Sequence, residues 1–478
     1  MALVVETVTA ESMADLVARR DGADAADIVE LRLDGVRDLD VARALAGRRS
    51  PAIVTCRPTW EGGRFDGAED ERLRILAQAA ALGAEYVDVE WRADRRTLPP
   101  ALTSRLVLSH HDFTGVPADL ADRVRAMRAE GAAAVKVAVT AERVGDCEVL
   151  RRAVAGDGKF VAIAMGAAGR VTRAWPAWTG SCWMYGGSAA PGQISTRDLI
   201  QTYRVRSVTR GSTAYAITGA PLGHSASPAM HNAAFAALGI DAVYLPVETA
   251  DAEEFQRMAD ALGLEGVSVT APLKRALAAR CESVDDVSTA VGAINTLKRS
   301  ANGWTGRNFD VDGFLAPLDR LGAAPRGSHA VILGAGGAAR AAAFALTRRG
   351  VRVDLTARRA DAAREVAAAV GAGVAPWPPA ENGARPDLVV NATPVGAWPK
   401  SDASPVDAPR AAVAYDLVYN PPETTFLSRA AAAGARTIGG LEMLVEQAAR
   451  QFEWWTAQAV PRPTLDQAAR QFLGTLAS

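Results

Sequence analysis

Cysteine is scarce: four in 478 residues, Cys56, Cys147, Cys182 and Cys281, and no two form a CxxC pair. That scatter excludes a disulfide framework and a structural zinc site, so no metal is expected and a cytoplasmic, reducing setting fits. An excess of charge of one sign is lacking too. Lys and Arg number 53 against 54 Asp and Glu, a formal net charge of −1, so no field draws in nucleic acid or an anionic membrane, and small-molecule chemistry is favoured. Long apolar runs are missing: the stretch 331–346 carries Arg340 and several glycines, and residues 1–10 have no basic region ahead of an apolar one. Neither a membrane span nor a signal peptide is expected. Ala/Arg/Glu-rich segments such as 360–370 are ordinary helix formers, not repeats.

What is present points to several domains, because a chain of this length exceeds one ordinary core. Short β-branched runs recur at 3–8, 27–33, 52–57, 85–91, 106–110, 134–139, 160–165 and 181–185, with helical spacing between most of them, as at 68–82 and 120–130. That alternation predicts parallel strands with crossover helices, and eight of them close most naturally as a (β/α)8 barrel. Polar residues cluster at the strand ends, where such a barrel holds its active site: Glu30, Arg32, Arg57, Asp88, Glu90, His111 and Lys136. The stretch 207–213 has no apolar period and marks the domain boundary.

Lys136 sits in an apolar strand, where a lysine is costly unless neutral, paired or reactive. A desolvated amine is the nucleophile a Schiff base needs, and the competing reading is a lysine paired with a glutamate. His111 ends the preceding strand and can shuttle a proton, or be held structurally by Asp112. Glu61 can orient the histidine, and Arg57 and Arg173 suit a carboxylate or hydroxyls. In the second half, Val331-Ile-Leu-Gly334-Ala-Gly336-Gly337-Ala338 runs from strand through a glycine turn into a helix, the arrangement that sets a pyrophosphate against helix N–H groups. The next strand ends in Ala357, Arg358 and Arg359, which suits a 2′-phosphate and favours NADP over NAD, with Asp354 inside the strand discounted. Lys274 and Asp310 form an acid/base pair or a plain salt bridge. Ser225, Ser227, Thr270, Asn295 and Gln447 can hold a carboxylate and a polyol, or singly cap a helix or turn.

Glu30-Leu-Arg32-Leu-Asp34, residues 57–63, Asp88-Val-Glu90, His111-Asp-Phe, Lys136-Val-Ala, Met165-Gly and Ala190-Pro-Gly-Gln193 resemble, in order, the type I 3-dehydroquinate dehydratases. The resemblance implies a cofactor-free syn dehydration of 3-dehydroquinate to 3-dehydroshikimate. Lys136 would form the imine, His111 move the protons and Glu61 support it, with Glu30, Arg32, Arg57, Arg173 and Gln193 binding substrate. Departures are Ala189 where the family has serine, with Ser188 beside it, and His110 preceding His111. Gly223 to Pro228, Thr270 to Lys274, Gly292-Ala-Ile-Asn295-Thr296, Asn308 to Asp310, Gly334 to Arg340, Asn391 to Gly396 and Gly440 to Gln447 resemble shikimate dehydrogenase. That implies Lys274 and Asp310 as catalytic pair, Ser225, Ser227, Thr270, Asn295 and Gln447 on shikimate, and Gly334, Gly336, Gly337, Ala338, Arg358, Arg359 and Thr393 on NADP(H). Phe309 for a usual threonine, Ser268 for asparagine, and Ala357 and Arg359 beside Arg358 depart from the pattern. The order of the halves is similar to the fused plant enzyme of the shikimate pathway. The expected domains are the barrel at 1–207, a substrate lobe at 214–319, a Rossmann domain at 320–436, and C-terminal helices at 437–478 returning to the substrate lobe. Two other readings stand beside this one: a quinate or NAD preference in the second half, and a binding or regulatory protein with relic sites, against which the intact Lys136, His111, Lys274 and Asp310 speak.

Overall fold

The structure, a computed structural model, describes residues 2–156, 158–187, 192–378, 385–407 and 409–477. Ser188 and Ala189, where the dehydratase resemblance departs from its pattern, lie outside them. The first strands are β1 (Leu3–Thr9), β2 (Ile28–Arg32), β3 (Ala52–Thr55), β4 (Tyr86–Glu90), β5 (Leu106–Asp112), β6 (Ala134–Thr140), β7 (Phe160–Met165) and β8 (Trp183–Gly186). All eight expected strands are present. They pair in the order β7-β6-β5-β4-β3-β2-β1-β8, parallel throughout, and a parallel bridge between Phe160 and Ser181 brings the ends of the sheet together. Helices cover the outside and side chains fill the inside, so the strands are buried on both faces and read as continuous apolar runs. Residues two apart share a face, which aims Glu30 and Arg32, Asp88 and Glu90, Ser109 and His111, and Lys136 and Ala138 inward together.

A second sheet holds β9 (Thr213–Gly219), β10 (Ala242–Glu248), β11 (Leu264–Val269), β12 (Ser283–Val284), β13 (Thr296–Arg299) and β14 (Trp304–Arg307), in the order β10-β9-β11-β13-β14-β12. The third comprises β15 (His329–Leu333), β16 (Arg352–Thr356), β17 (Gly373–Val374), β18 (Leu388–Asn391), β19 (Val413–Asp416) and β20 (Arg436–Ile438). It runs β17-β16-β15-β18-β19-β20, all parallel. This is the doubly wound order in which the strand sequence reverses beside the first strand, where a dinucleotide binds.

By contacts the chain forms two units. The first contains the barrel and Asp241–Leu264. Within it, Trp178 Nε1 donates to the Ala261 carbonyl at 3.3 Å and the Gly145 N–H to Glu254 Oε1 at 3.2 Å. In the second unit the helix Gly440–Thr456 lies along Asp310–Leu321 so closely that a Cβ on Gly313 would stand 2.8 Å from Gln447 Cβ. The final helix, Arg462–Ala477, packs on Ser227–Ala237.

Candidate active sites

In the barrel, Lys136 is 5 % exposed. Its Nζ lies 3.2 Å from Asp88 Oδ2, 3.6 Å from Glu30 Oε1 and 4.1 Å from the centre of the Tyr185 ring. These carboxylates are themselves held. Glu30 accepts hydrogen bonds from the Thr7 and Thr55 hydroxyls, each at 2.9 Å. Asp88 accepts from Ser109 Oγ at 2.6 Å and from Arg57 at 2.9 Å. Arg57 also donates to Glu90 at 2.5 Å and to Ser109 at 2.8 Å. Burial works against ionised Asp88, yet Arg57 and Lys136 outweigh it and hold its pKa well below the carboxylate range. From the covering helix Glu69–Ala81, the fully buried Arg72 reaches in to pair with Glu90 at 2.6 Å.

Across the cavity Glu61 Oε1 meets both the backbone N–H of His111, at 2.9 Å, and its Nδ1, at 3.0 Å. Of the two ways to hold His111, the structure shows Glu61; Asp112 accepts from Thr114 instead. Nε2 is the ring nitrogen that Glu61 does not engage. Burial first, then the Arg57 and Lys136 cations, push the histidine's pKa well below its ordinary value. Burial raises Glu61 to about 7, with Arg57 opposing. The imidazole is therefore a neutral base at pH 7. Next door, His110 turns to the other face, near Arg123 at 3.2 Å and edge-on to Trp91.

Lys136, His111, Glu61, Glu30, Arg32, Arg57, Arg173 and Gln193 line one cavity of about 180 Å³, with Phe113, Met165 and Tyr185 supplying apolar wall. Arg32 is clamped by Asp34 at 2.8 and 2.9 Å. Arg173 is different: it is 2 % exposed, has no ion-pair partner among the described residues, and its Nε lacks a hydrogen bond. Burial alone lowers its pKa to about 10. Asp88 and Glu90, placed at a strand end by the sequence but given no role there, and Ser109, Arg72 and Tyr185, which the sequence does not single out, surround Lys136 and Arg57. Only the Asp88-Val-Glu90 alternation at a strand end signalled any of them.

In the second unit Lys274 Nζ meets Asp310 Oδ2 at 2.5 Å. The other Asp310 oxygen accepts from Asn295 Nδ2 at 2.7 Å, and the same amide donates to Gln447 at 3.1 Å. Asn295 Oδ1 takes the Phe309 backbone N–H at 2.9 Å, and Asn308 Oδ1 the Asp310 N–H at 3.0 Å. The catalytic-pair candidates thus sit in one network with two of the expected substrate ligands. The side chain of Phe309 packs instead on Trp454, with ring centres 5.7 Å apart. Ser268 donates to Gln451 at 2.7 Å, and Gln451 in turn donates to the Thr296 hydroxyl at 2.8 Å. The Ser227 N–H donates to Ser225 Oγ at 3.3 Å, and Thr270 opens the turn that leads to Lys274.

The dinucleotide region fits a pyrophosphate. Gly334 has φ +119°, and a Cβ there would stand 2.9 Å from the Ala392 carbonyl, so the turn needs glycine. Gly336 and Gly337 border open space. The helix they begin, Gly337–Arg348, has no side-chain cap, which leaves its first N–H groups, those of Gly337 and Ala338 among them, for an anion. Thr393 is fixed by Asn391 through its N–H at 3.0 Å and its hydroxyl at 2.7 Å. Arg358 and Arg359 are exposed just beyond β16, whereas Asp354 is taken by His329 Nε2 at 2.8 Å.

A parallel barrel with a buried lysine and a histidine–glutamate pair, followed by a doubly wound dinucleotide domain with its own lysine–aspartate pair, defines a two-enzyme polypeptide. Comparisons with known proteins agree. Residues 4–210 match type I 3-dehydroquinase, 217–297 the shikimate dehydrogenase substrate binding domain, and 440–470 the shikimate 5'-dehydrogenase C-terminal domain. The chloroplastic bifunctional 3-dehydroquinate dehydratase/shikimate dehydrogenase of Arabidopsis thaliana is 30% identical over 499 residues, covering 96% of this chain and 83% of that protein. A shikimate dehydrogenase (NADP(+)) of Anaeromyxobacter dehalogenans is 45% identical, covering 55% of this chain and 97% of its own. The crystal structure of shikimate 5-dehydrogenase from Thermus thermophilus with NADP(H) and shikimate is 36% identical, with a TM-score of 0.51 over 54% of this chain and 99% of that one. This chain belongs to the bifunctional 3-dehydroquinate dehydratase/shikimate dehydrogenase family.

Proposed function

We propose that the chain dehydrates 3-dehydroquinate to 3-dehydroshikimate in its barrel and reduces that product to shikimate with NADPH in its second half. The observation that carries the first step is the convergence of Lys136 and the His111–Glu61 pair on one cavity beside Arg173, which has no ion-pair partner among the described residues. Lys136 forms an imine with the substrate ketone, and the iminium draws electrons from the adjacent carbon. His111 takes the proton released there and returns one to the departing hydroxyl, while Glu61 holds the ring by Nδ1. Arg173 receives the carboxylate; Glu30, Arg32, Arg57 and Gln193 complete the pocket, Arg57 mainly by organising Asp88 and Glu90. No cofactor is required for this half.

For the second step, the Lys274–Asp310 pair holds and delivers the proton taken up by the carbonyl oxygen, with Asn295 and Gln447 fixing Asp310. Ser225, Ser227 and Thr270 bind shikimate. Gly334, Gly336, Gly337, Ala338 and Thr393 hold NADP(H), with Arg358 and Arg359 on its 2′-phosphate. Bound NADPH supplies the hydride. The domains are assigned as 1–207, 214–319, 320–436 and 437–478. Among the described residues no helix is long and apolar enough to cross a membrane, and a cytoplasmic location is proposed from the balanced charge and scattered cysteines. Two assays test the function: 3-dehydroquinate alone must yield the conjugated enone absorbance, and shikimate with NADP must give a higher kcat/KM than quinate with NAD. No enone, or the reverse preference, refutes the corresponding half.

A further inference from the structure

We infer that the aromatic ring of Tyr185 is a catalytic group of the dehydratase, holding the positive charge of the Lys136 iminium by a cation–π contact. Tyr185 is 3 % exposed, lies on β8 and lines the substrate cavity. Its ring centre is 4.1 Å from Lys136 Nζ, well inside the range of such contacts. The hydroxyl stays protonated, because burial, then Glu30 and Asp88, raise its pKa well above the ordinary tyrosine value. A neutral phenol therefore faces the nitrogen.

The reason a ring is needed lies in what happens to the N–H groups. A lysine ammonium carries three donors, one of them spent on the hydrogen bond to Asp88 at 3.2 Å, with Glu30 an ion-pair contact at 3.6 Å. To react, the neutral amine adds its lone pair to the carbonyl carbon. The C–O bond breaks, and the oxygen leaves as water with one proton from Nζ and one from solution. The resulting C=N⁺ nitrogen keeps a single N–H, enough for the hydrogen bond to Asp88 and leaving none to turn toward Glu30. Asp88 and Glu30 are meanwhile engaged by Arg57, Ser109, Thr7 and Thr55. The ring's attraction depends on charge and not on a donor, so it persists through the step that strips the donors away.

This inference rests on Lys136 forming the Schiff base, and its test separates the two. In the full-length protein, position 185 is replaced by Phe and then by mono-, di- and trifluorinated phenylalanine, which withdraw ring electron density at nearly constant shape. Each protein is titrated with 3-dehydroquinate and trapped with borohydride, and the mass added at Lys136 is measured. Tyr185→Phe sets the reference point of the series. Successive fluorines should then raise the half-trapping concentration in a log-linear series, by about 30-fold in total, the loss expected for a desolvated cation–π contact. Tyr185→Leu should resemble the trifluorinated protein. A flat or unordered series with trapping intact overturns the role of the ring; absence of any Lys136 adduct in the unmodified protein overturns the Schiff-base reading itself.

Discussion

Replacing Glu61 with glutamine is expected to stabilise the barrel and cripple it at once. Burial lifts the Glu61 pKa from an ordinary 4.5 to about 7. In the unfolded chain the carboxyl ionises above its ordinary value, but in the folded barrel it keeps its proton until about 7. The folded state therefore binds more protons in that window, and stability falls as pH rises through it. The destabilisation comes to about 1 kcal/mol at pH about 5 and about 3 kcal/mol at pH about 8, taking 1.36 kcal/mol for each unit between the two values. Glutamine cannot ionise, and its Oε1 can still accept from His111. About 1 kcal/mol is set against the gain for the amide N–H that must find a partner. The variant should thus gain about 2 kcal/mol at pH 8, a rise of roughly 4–8 °C in the Tm of the barrel transition, and almost nothing at pH 5. Dehydratase kcat should drop by about 100-fold, because a neutral amide supports the imidazolium far less than a carboxylate does. Thermal scans at the two pH values, with enone formation measured alongside, check both parts. A Tm difference that is the same at pH 5 and pH 8, or a variant less stable at pH 8, refutes the reasoning.

Three further outcomes follow from the sites. Arg173→Met should raise KM for 3-dehydroquinate by about 100-fold while changing kcat little, since a buried charge-assisted pair with the substrate carboxylate is lost; steady-state kinetics with a fall in kcat and unchanged KM would contradict this. Lys274→Met should lower kcat for shikimate oxidation by about 100-fold or more and leave enone formation from 3-dehydroquinate intact; loss of both activities would mean that the variant acts through folding. Replacing Arg358 and Arg359 together by alanine should cut the NADP-over-NAD ratio of kcat/KM by roughly 10- to 100-fold. An unchanged ratio would place recognition of the 2′-phosphate elsewhere.

The barrel was readable in the sequence because each strand is a short apolar run, and parallel strands buried on both faces leave that signature. The glycine turn at Gly334 was readable for a related reason: the backbone geometry it adopts admits no other residue. What stayed hidden was pairing. Whether Lys136 works beside Glu30, Asp88 or Glu90 depends on strand neighbours that lie far apart in the chain, and the alternation on each strand says only which residues share a face. Arg72 makes an i,i+3 pair with Glu69 at 2.6 Å, a contact local in the chain; that it also spans the wall to Glu90 is a property of the helix's seat. Tyr185 belonged to an apolar run, and nothing in that run told a wall residue from one facing a lysine. Strands of two residues, β12 and β17, are too short for any period to reveal.

The charges inside the barrel have a further consequence when viewed as a question of electroneutrality. Arg57, Arg72 and Lys136 are matched by Glu30, Asp88 and Glu90, and Arg32 by Asp34. Arg173 alone among these cations has no counter-ion in the described residues. Arg173 is thus the cation of this set left for a substrate carboxylate to pair with. Dehydration leaves that carboxylate untouched, so the product neutralises Arg173 as fully as the substrate did. Substrate and product therefore compete for the same guanidinium, and simple inorganic anions compete with both.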